Sequence, residues 1–264
     1  MKAFHWNLAL ASAVMFAASA TAGTVADVKA RGTLIVGVKS DYRPYGYLDP
    51  NGSIVGLEAD LAADVASRLG VKLQLVPVSA ANRIQFLDQG KVDLLLATMA
   101  DTEARRKQIN IPRPAYYASY TSMMSLKNSK VTEWRDIRDK SICTTTGAVF
   151  NTKLTATYGP KLVAFNGPAE ALNSLKMGTC EGFVYDDTLL TSLLQQSEWS
   201  DYKLALPRID PVEWGAGVRL GDTELTDLLS KVIKEWHSSG FIVKLENKYN
   251  IPNTPFVLEM NKKP

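Results

Sequence analysis

Apolar and polar positions in this chain follow two periods that take turns. Residues 33–38 form a short apolar, β-branched run and predict a strand. Residues 56–69 place Leu57, Leu61, Val65 and Leu69 on one face of a 3.6-residue period and predict a helix. A strand over 71–76, a short helix over 81–88 and a strand over 92–98 follow. The last run is almost wholly apolar, as expected of a parallel strand buried on both faces. This βαβαβ order predicts a parallel sheet covered by helices.

An extended stretch without helical period occupies 116–125, and then the alternation restarts. Strands are predicted at 141–145, 162–165 and 182–185, and helices at 149–158, 169–177 and 188–195. A second extended stretch, 211–220, precedes an amphipathic helix over 224–236. The fold class is therefore α/β in two lobes. The C-terminal helices need a sheet to pack on, and a return to the first lobe would make the second extended stretch a second crossing. The expected division is 1–22 as a signal peptide, 23–118 as the first part of lobe 1, 119–212 as lobe 2, and 213–264 as the return to lobe 1.

The N-terminus changes the compartment. Met1-Lys2, the apolar run 8–18, and small residues at Ala18-Ser19-Ala20 and Ala20-Thr21-Ala22 read as a cleaved export signal, with the cut after Ala20 or Ala22. No later run reaches the roughly 20 apolar residues of a membrane helix, so a soluble periplasmic protein, a monomer, is expected. Loss of Lys2 takes Lys plus Arg from 30 to one fewer, against 27 acidic residues. That near-neutral, dispersed charge gives no footprint for nucleic acid. Cys143 and Cys180 are the only cysteines. In an oxidising compartment an even count favours a disulfide, with two buried thiols as the alternative. Two cysteines and two histidines, one of them in the signal, make a structural zinc site improbable, and no metal or cofactor is expected.

Candidate chemistry lies where the strand 92–98 ends. Asp101 or Thr102 can cap a helix there, and Arg105, Arg106 and Lys107 follow at the end the macrodipole disfavours for cations. The segment is either an anion-binding corner, with an arginine fork for a carboxylate, or three solvated surface charges. Asp186 and Asp187 form a matching corner after the strand 182–185, where both can instead cap the next helix.

Several motifs in order carry a resemblance. Gly56-Leu57-Glu58-Ala59-Asp60-Leu61 matches a Gly-apolar-acid-apolar-acid-apolar signature opening the first helix. Ala97 to Arg105 matches a ligand segment that normally ends in Thr-x-Glu-Arg, with Ala104 standing before Arg105. Trp134-Arg135-Asp136-Ile137-Arg138-Asp139-Lys140 and Glu213-Trp214-Gly215-Ala216-Gly217-Val218 resemble the segments before the second-lobe strand and at the return crossing. Over residues 28–251 the chain resembles the periplasmic solute-binding proteins of polar-amino-acid ABC importers, the bacterial extracellular solute-binding protein family 3.

The resemblance implies the periplasmic-binding-protein type II fold, two α/β lobes joined by a two-segment hinge. It implies an amino acid held in the cleft and delivered to ABC permease membrane subunits. It also implies site residues: Arg105 for the ligand carboxylate, with the Thr98 hydroxyl and the backbone at Thr98 and Ala100 adding contacts. Asp186 would take the ammonium, while Asp187 caps the helix. Gly147, Ala148 and Val149 fall on a family turn whose hydroxyls they lack, so backbone N–H groups at the helix start would serve there. Tyr42 matches an aromatic cover. Of Tyr45 and Tyr47, at least one should be core. Arg43 reads as a solvated loop charge or a reader of an acidic side chain, and Trp214 as cleft wall or hinge packing. An enzyme on the same fold, a cyclohexadienyl (arogenate/prephenate) dehydratase, is the alternative, and a sensory module is a weaker third. A Gly-x4-Gly-Lys-Ser/Thr phosphate loop is absent, so ATP hydrolysis is not expected of this chain.

Overall fold

The computed structural model describes residues 25–263. The expected export signal lies outside them. Helix α1 (Val25–Arg31) leads into strand β1 (Thr33–Lys39), and short strands β2 (Asp41–Tyr42), β3 (Gly46–Leu48) and β4 (Ile54–Val55) form a small antiparallel sheet. Helix α2 (Leu57–Leu69) buries the predicted Leu57, Leu61, Val65 and Leu69. Gly56 stands before it at φ 131°, where a Cβ would lie 2.4 Å from the Tyr45 carbonyl oxygen. That approach explains the glycine at the head of the motif.

Strand β5 (Lys72–Val78), helix α3 (Arg83–Asp88), strand β6 (Leu94–Leu95), helix α4 (Glu103–Arg106) and strand β7 (Ile109–Asn110) follow. The run 92–98 was expected to be one strand, yet only two residues of it hold regular pairing. Leu94 and Leu95 pair with β1 on one side, and the ladder continues loosely through Asp93 N–H to Ile35 O and Leu96 N–H to Gly37 O. The whole run is buried nonetheless. The helix expected at Asp101 or Thr102 is a single turn, capped by the Thr102 side chain accepting from Arg105 N–H at 3.3 Å. In one turn the cations also reach the C-terminal end, so the macrodipole argument against them loses its force.

Strand β8 (Tyr117–Leu126) crosses to the second lobe. There β9 (Ser141–Thr145), α5 (Asn151–Tyr158), β10 (Lys161–Phe165), α6 (Pro168–Lys176), β11 (Gly182–Asp186) and α7 (Asp187–Leu194) alternate as predicted, and a short strand β12 (Tyr202–Leu204) that the sequence pattern did not single out follows. Strand β13 (Ile209–Trp214) runs back, and β14 (Gly217–Arg219), α8 (Thr223–Ser238), α9 (Phe241–Lys248) and α10 (Pro255–Asn261) end the chain.

The two sheets have related topologies. The first is ordered β5-β1-β6-β14-β7 and the second β10-β9-β11-β8-β12, with β13 also paired to β8. Each has three parallel strands, first repeat strand in the middle, followed by an antiparallel strand next to a crossing. Both sheets are therefore mixed, the first of them where the alternation predicts a parallel sheet. The two crossings pair with each other, Trp214 opposite Tyr117 and Glu213 opposite Ala118. Trp236 of α8 donates its indole N–H to Asp64 of α2 at 2.7 Å, which seats the last helices against the first lobe's helix layer. Cys143 and Cys180 form a disulfide. It ties β9 to the turn before β11, its neighbour in the sheet.

Candidate functional site

At the end of β6 the chain makes a sharp departure. Thr98 has φ 46°, a left-handed conformation that a β-branched residue adopts only when held there. Three groups hold it. Its N–H donates to Glu58 Oε1 at 2.6 Å, and the Tyr116 hydroxyl donates to the same oxygen. The Arg83 guanidinium donates to the carbonyls of Ala97 and Thr98. Glu58 is fully buried, and burial pushes its carboxyl up to about 7 against the pull of those hydrogen bonds. The acid of the Gly-apolar-acid signature thus fastens the strand end to α2.

Arg105 folds back over this corner. Its Nη1 donates to Ala100 O at 2.8 Å, and its Nη2 reaches Gly147 O in the second lobe at 3.3 Å. Burial, then the neighbouring Arg83 charge, lower it to about 9, while Asp186 acts in the opposite direction. Arg106 instead pairs with Asp101 and the Ile111 carbonyl, and Lys107 is exposed. Of the three cations, one faces the cleft.

In the second lobe Asp186 ends β11 and occupies the N-cap position of α7, yet its side chain makes no capping bond. Its carboxylate accepts from the Tyr42 hydroxyl at 2.9 Å and from Ser119 Oγ at 3.3 Å. Burial raises it to about 6, with Tyr42 and Lys39 pulling the other way. The helix cap expected of Asp187 is absent. Asp187 accepts from Tyr120 N–H at 2.8 Å and pairs with Arg208, which anchors the α7 start to the crossing strand. The Gly147 turn also differs from expectation. Helix α5 begins at Asn151, past Val149, and Ala148 N–H is directed to Thr145 O at 3.3 Å. What the turn presents to Arg105 is the Gly147 carbonyl. Gly147 has φ 78°, and a Cβ there would lie 3.0 Å from Ala80 O of the first lobe.

Thr98, Ala100, Arg105, Gly147, Ala148, Val149 and Asp186 all border one cavity of about 30 Å³ between the lobes. Tyr42 stands one layer behind, fully buried, and reaches the site through its bond to Asp186. Trp214 is both wall and hinge: it borders the cavity, stacks on Tyr117 at 5.2 Å, and donates its indole N–H to Ser119 at 3.0 Å. Arg43 lies outside, its guanidinium over the Tyr47 ring at 3.7 Å. Tyr45 is core, with its hydroxyl on Tyr117.

Arg83, Phe150 and Tyr185 also border the cavity, and sequence reasoning passed over them. Arg83 opens a short helix after a strand, the same pattern that singled out Arg105, so a signal was present. Lys39, buried and donating to the Tyr185 hydroxyl at 3.1 Å, had none, because a strand-end lysine reads as solvated. A larger groove of about 190 Å³ lies at the rear of the hinge between α7 and residues 250–256. The charged groups in it, Asp187 and Arg208, satisfy one another. The front cavity, by contrast, has opposite charges from two lobes.

Residues 34–252 match the family described as bacterial extracellular solute-binding proteins, family 3. Among curated proteins, the arginine-binding extracellular protein ArtP of Bacillus subtilis is 26% identical over 221 residues, 82% of this chain and 85% of that protein. The solved solute receptor for L-cysteine of Neisseria gonorrhoeae superposes with a TM-score of 0.83 at 26% identity, covering 89% of this chain and 98% of the receptor. The ancestral amino acid-binding protein AncCDT-1, a precursor of cyclohexadienyl dehydratase, gives 0.75 at 26% identity, covering 85% and 98%.

Proposed function

Because the chain belongs to the bacterial extracellular solute-binding proteins of family 3 and has their type II periplasmic-binding-protein fold, we propose that it captures a free amino acid between its lobes. It then hands the ligand to the membrane permease of an ABC importer. The observation that carries the reading is a pair of opposite charges on one cavity. Arg105 comes from the first lobe and Asp186 from the second, and among the described residues neither has an ion-pair partner. A zwitterion supplies both missing partners, and unpaired buried charge is costly enough to make that exchange the driving term. Thr98 and Ala100 supply backbone and hydroxyl groups beside Arg105, and the turn at Gly147, Ala148 and Val149 closes over the ligand.

The remaining expectations belong to the same proposal. The lobes divide near residues 118 and 212, the protein works as a soluble monomer outside the cytoplasm, and a signal is removed near Ala20 or Ala22. Among the described residues no helix is long and apolar enough to cross a membrane.

Native mass spectrometry of gently purified protein should show one small adduct with an amino-acid mass. After that ligand is stripped, calorimetry against the twenty amino acids should find binding, and Arg105→Ala and Asp186→Asn should each weaken it on the order of 100-fold. Near-wild-type affinity in either variant removes that residue from the site. The dehydratase alternative needs a carboxyl acid in the cavity, and among the described residues Asp186, raised to about 6, is the only one bordering it. Release of product from arogenate or prephenate, lost in Asp186→Asn, would favour the enzyme.

A further inference from the structure

The cavity holds one charge more than an amino-acid backbone can answer. Among the described residues its charged border is Arg83, Arg105 and Asp186, two cations against one anion. Arg83 is 3% exposed and has no carboxylate within ion-pair distance among the described residues. One of its terminal nitrogens is directed to the carbonyls of Ala97 and Thr98, and its Nε is buried without a partner. Behind the wall the balance is already met, since Lys39 stands 3.8 Å from Asp41. Glu58 accepts from Thr98 N–H and the Tyr116 hydroxyl at one oxygen, its other oxygen is buried without a partner, and its charge acts on Arg83 from outside the cavity border.

A guanidinium has donors only, so whatever completes Arg83 must be an acceptor. An α-carboxylate on Arg105 and an α-ammonium on Asp186 leave Arg83 for the side chain. The space is also small, about 30 Å³. A long side chain would have to displace Phe150 or Tyr185, both of them buried. We infer that the ligand is an α-amino acid with a short, anionic side chain, of aspartate length, whose acid group is read by Arg83.

This inference rests on the amino-acid reading above, and the test separates the two. Stripped wild-type protein is titrated with L-aspartate, L-cysteinesulfinate, L-asparagine, L-alanine, L-glutamate and L-arginine. The two short anions should bind at least tenfold more tightly than asparagine, which has the same shape without the charge, and than the longer glutamate. Asparagine or alanine binding as tightly as aspartate would overturn the inference while leaving the amino-acid reading intact. So would a preference for arginine. No binding by any amino acid would overturn both.

Arg83 also supports the Thr98 carbonyl, so the variant is judged by a ratio. In Arg83→Lys and Arg83→Met the preference for aspartate over asparagine should fall at least fivefold. A purely supporting role would weaken both ligands by the same factor and leave the ratio unchanged, which would sink the claim. If Arg83→Met does not fold, Arg83→Lys and the wild-type panel decide the matter.

Discussion

Asp186 carries a pH dependence whose sign can be worked out. Burial raises its carboxyl from 3.8 to about 6. The folded chain therefore keeps a proton that the unfolded chain has already lost. Stability from this group is present in full below about pH 4 and is lost as pH rises through about 6. Ligand binding runs the other way, because an ammonium needs the ionised form. Affinity should fall as pH drops below about 6, approaching tenfold per unit, and binding there should release a proton. Calorimetry in two buffers of different ionisation heat measures that release directly. A pH-independent affinity between 5 and 8 would show that Asp186 does not hold the ammonium. At the same scale Glu58 shows what a motif residue can hide. Its place in the helix-opening signature was legible, but its work on the left-handed Thr98 was not, since the two are 40 positions apart.

Elements decide how firmly each half of the site is held. The Cys143–Cys180 bridge closes a loop of 37 positions and joins β9 to the approach to β11, the strands that end at Thr145 and Asp186. Replacing both cysteines with serine should lower the unfolding free energy by up to about 4 kcal/mol. Urea unfolding of oxidised, reduced and substituted protein checks this, and an unchanged midpoint would show that the bridge adds nothing. Where the expected elements differ from the real ones, the cause is tertiary. The apolar run 92–98 is buried throughout, but the left-handed turn at Thr98 takes its end out of the ladder. The turn 146–150 precedes α5, and in it Gly147, at φ 78°, passes close to the Ala80 carbonyl of the first lobe.

Across the whole molecule, contacts between the lobes are already made by side chains around the cavity. Tyr42 bonds Asp186, Lys39 bonds Tyr185, and Arg105 bonds the Gly147 carbonyl. A ligand touching Arg105 and Asp186 adds to the closed form alone and shifts the population towards it. The two crossing strands are the place for the dihedral change. Small-angle scattering should show a smaller radius of gyration at saturation, and paired labels on the lobes a shorter distance. Tyr42→Phe, which removes a hydrogen bond between the lobes, should enlarge the ligand-free radius. Unchanged values in all three would remove the hinge motion.

Period and order of the apolar residues were enough for two α/β lobes and two extended crossings, because burial of one helix face or of a whole strand leaves its mark residue by residue. The ordered motifs were enough to single out Arg105, Asp186 and the turn at Gly147 as candidates, because strand ends and helix starts are local, and the three border one cavity. Only the tertiary structure decided that Asp187 binds Arg208 rather than capping α7, that Trp214 serves both hinge and wall, and that Arg83 and Lys39 are buried beside the cleft. Those roles depend on which segments meet across the two crossings, and a charge has no periodicity that would announce its neighbours.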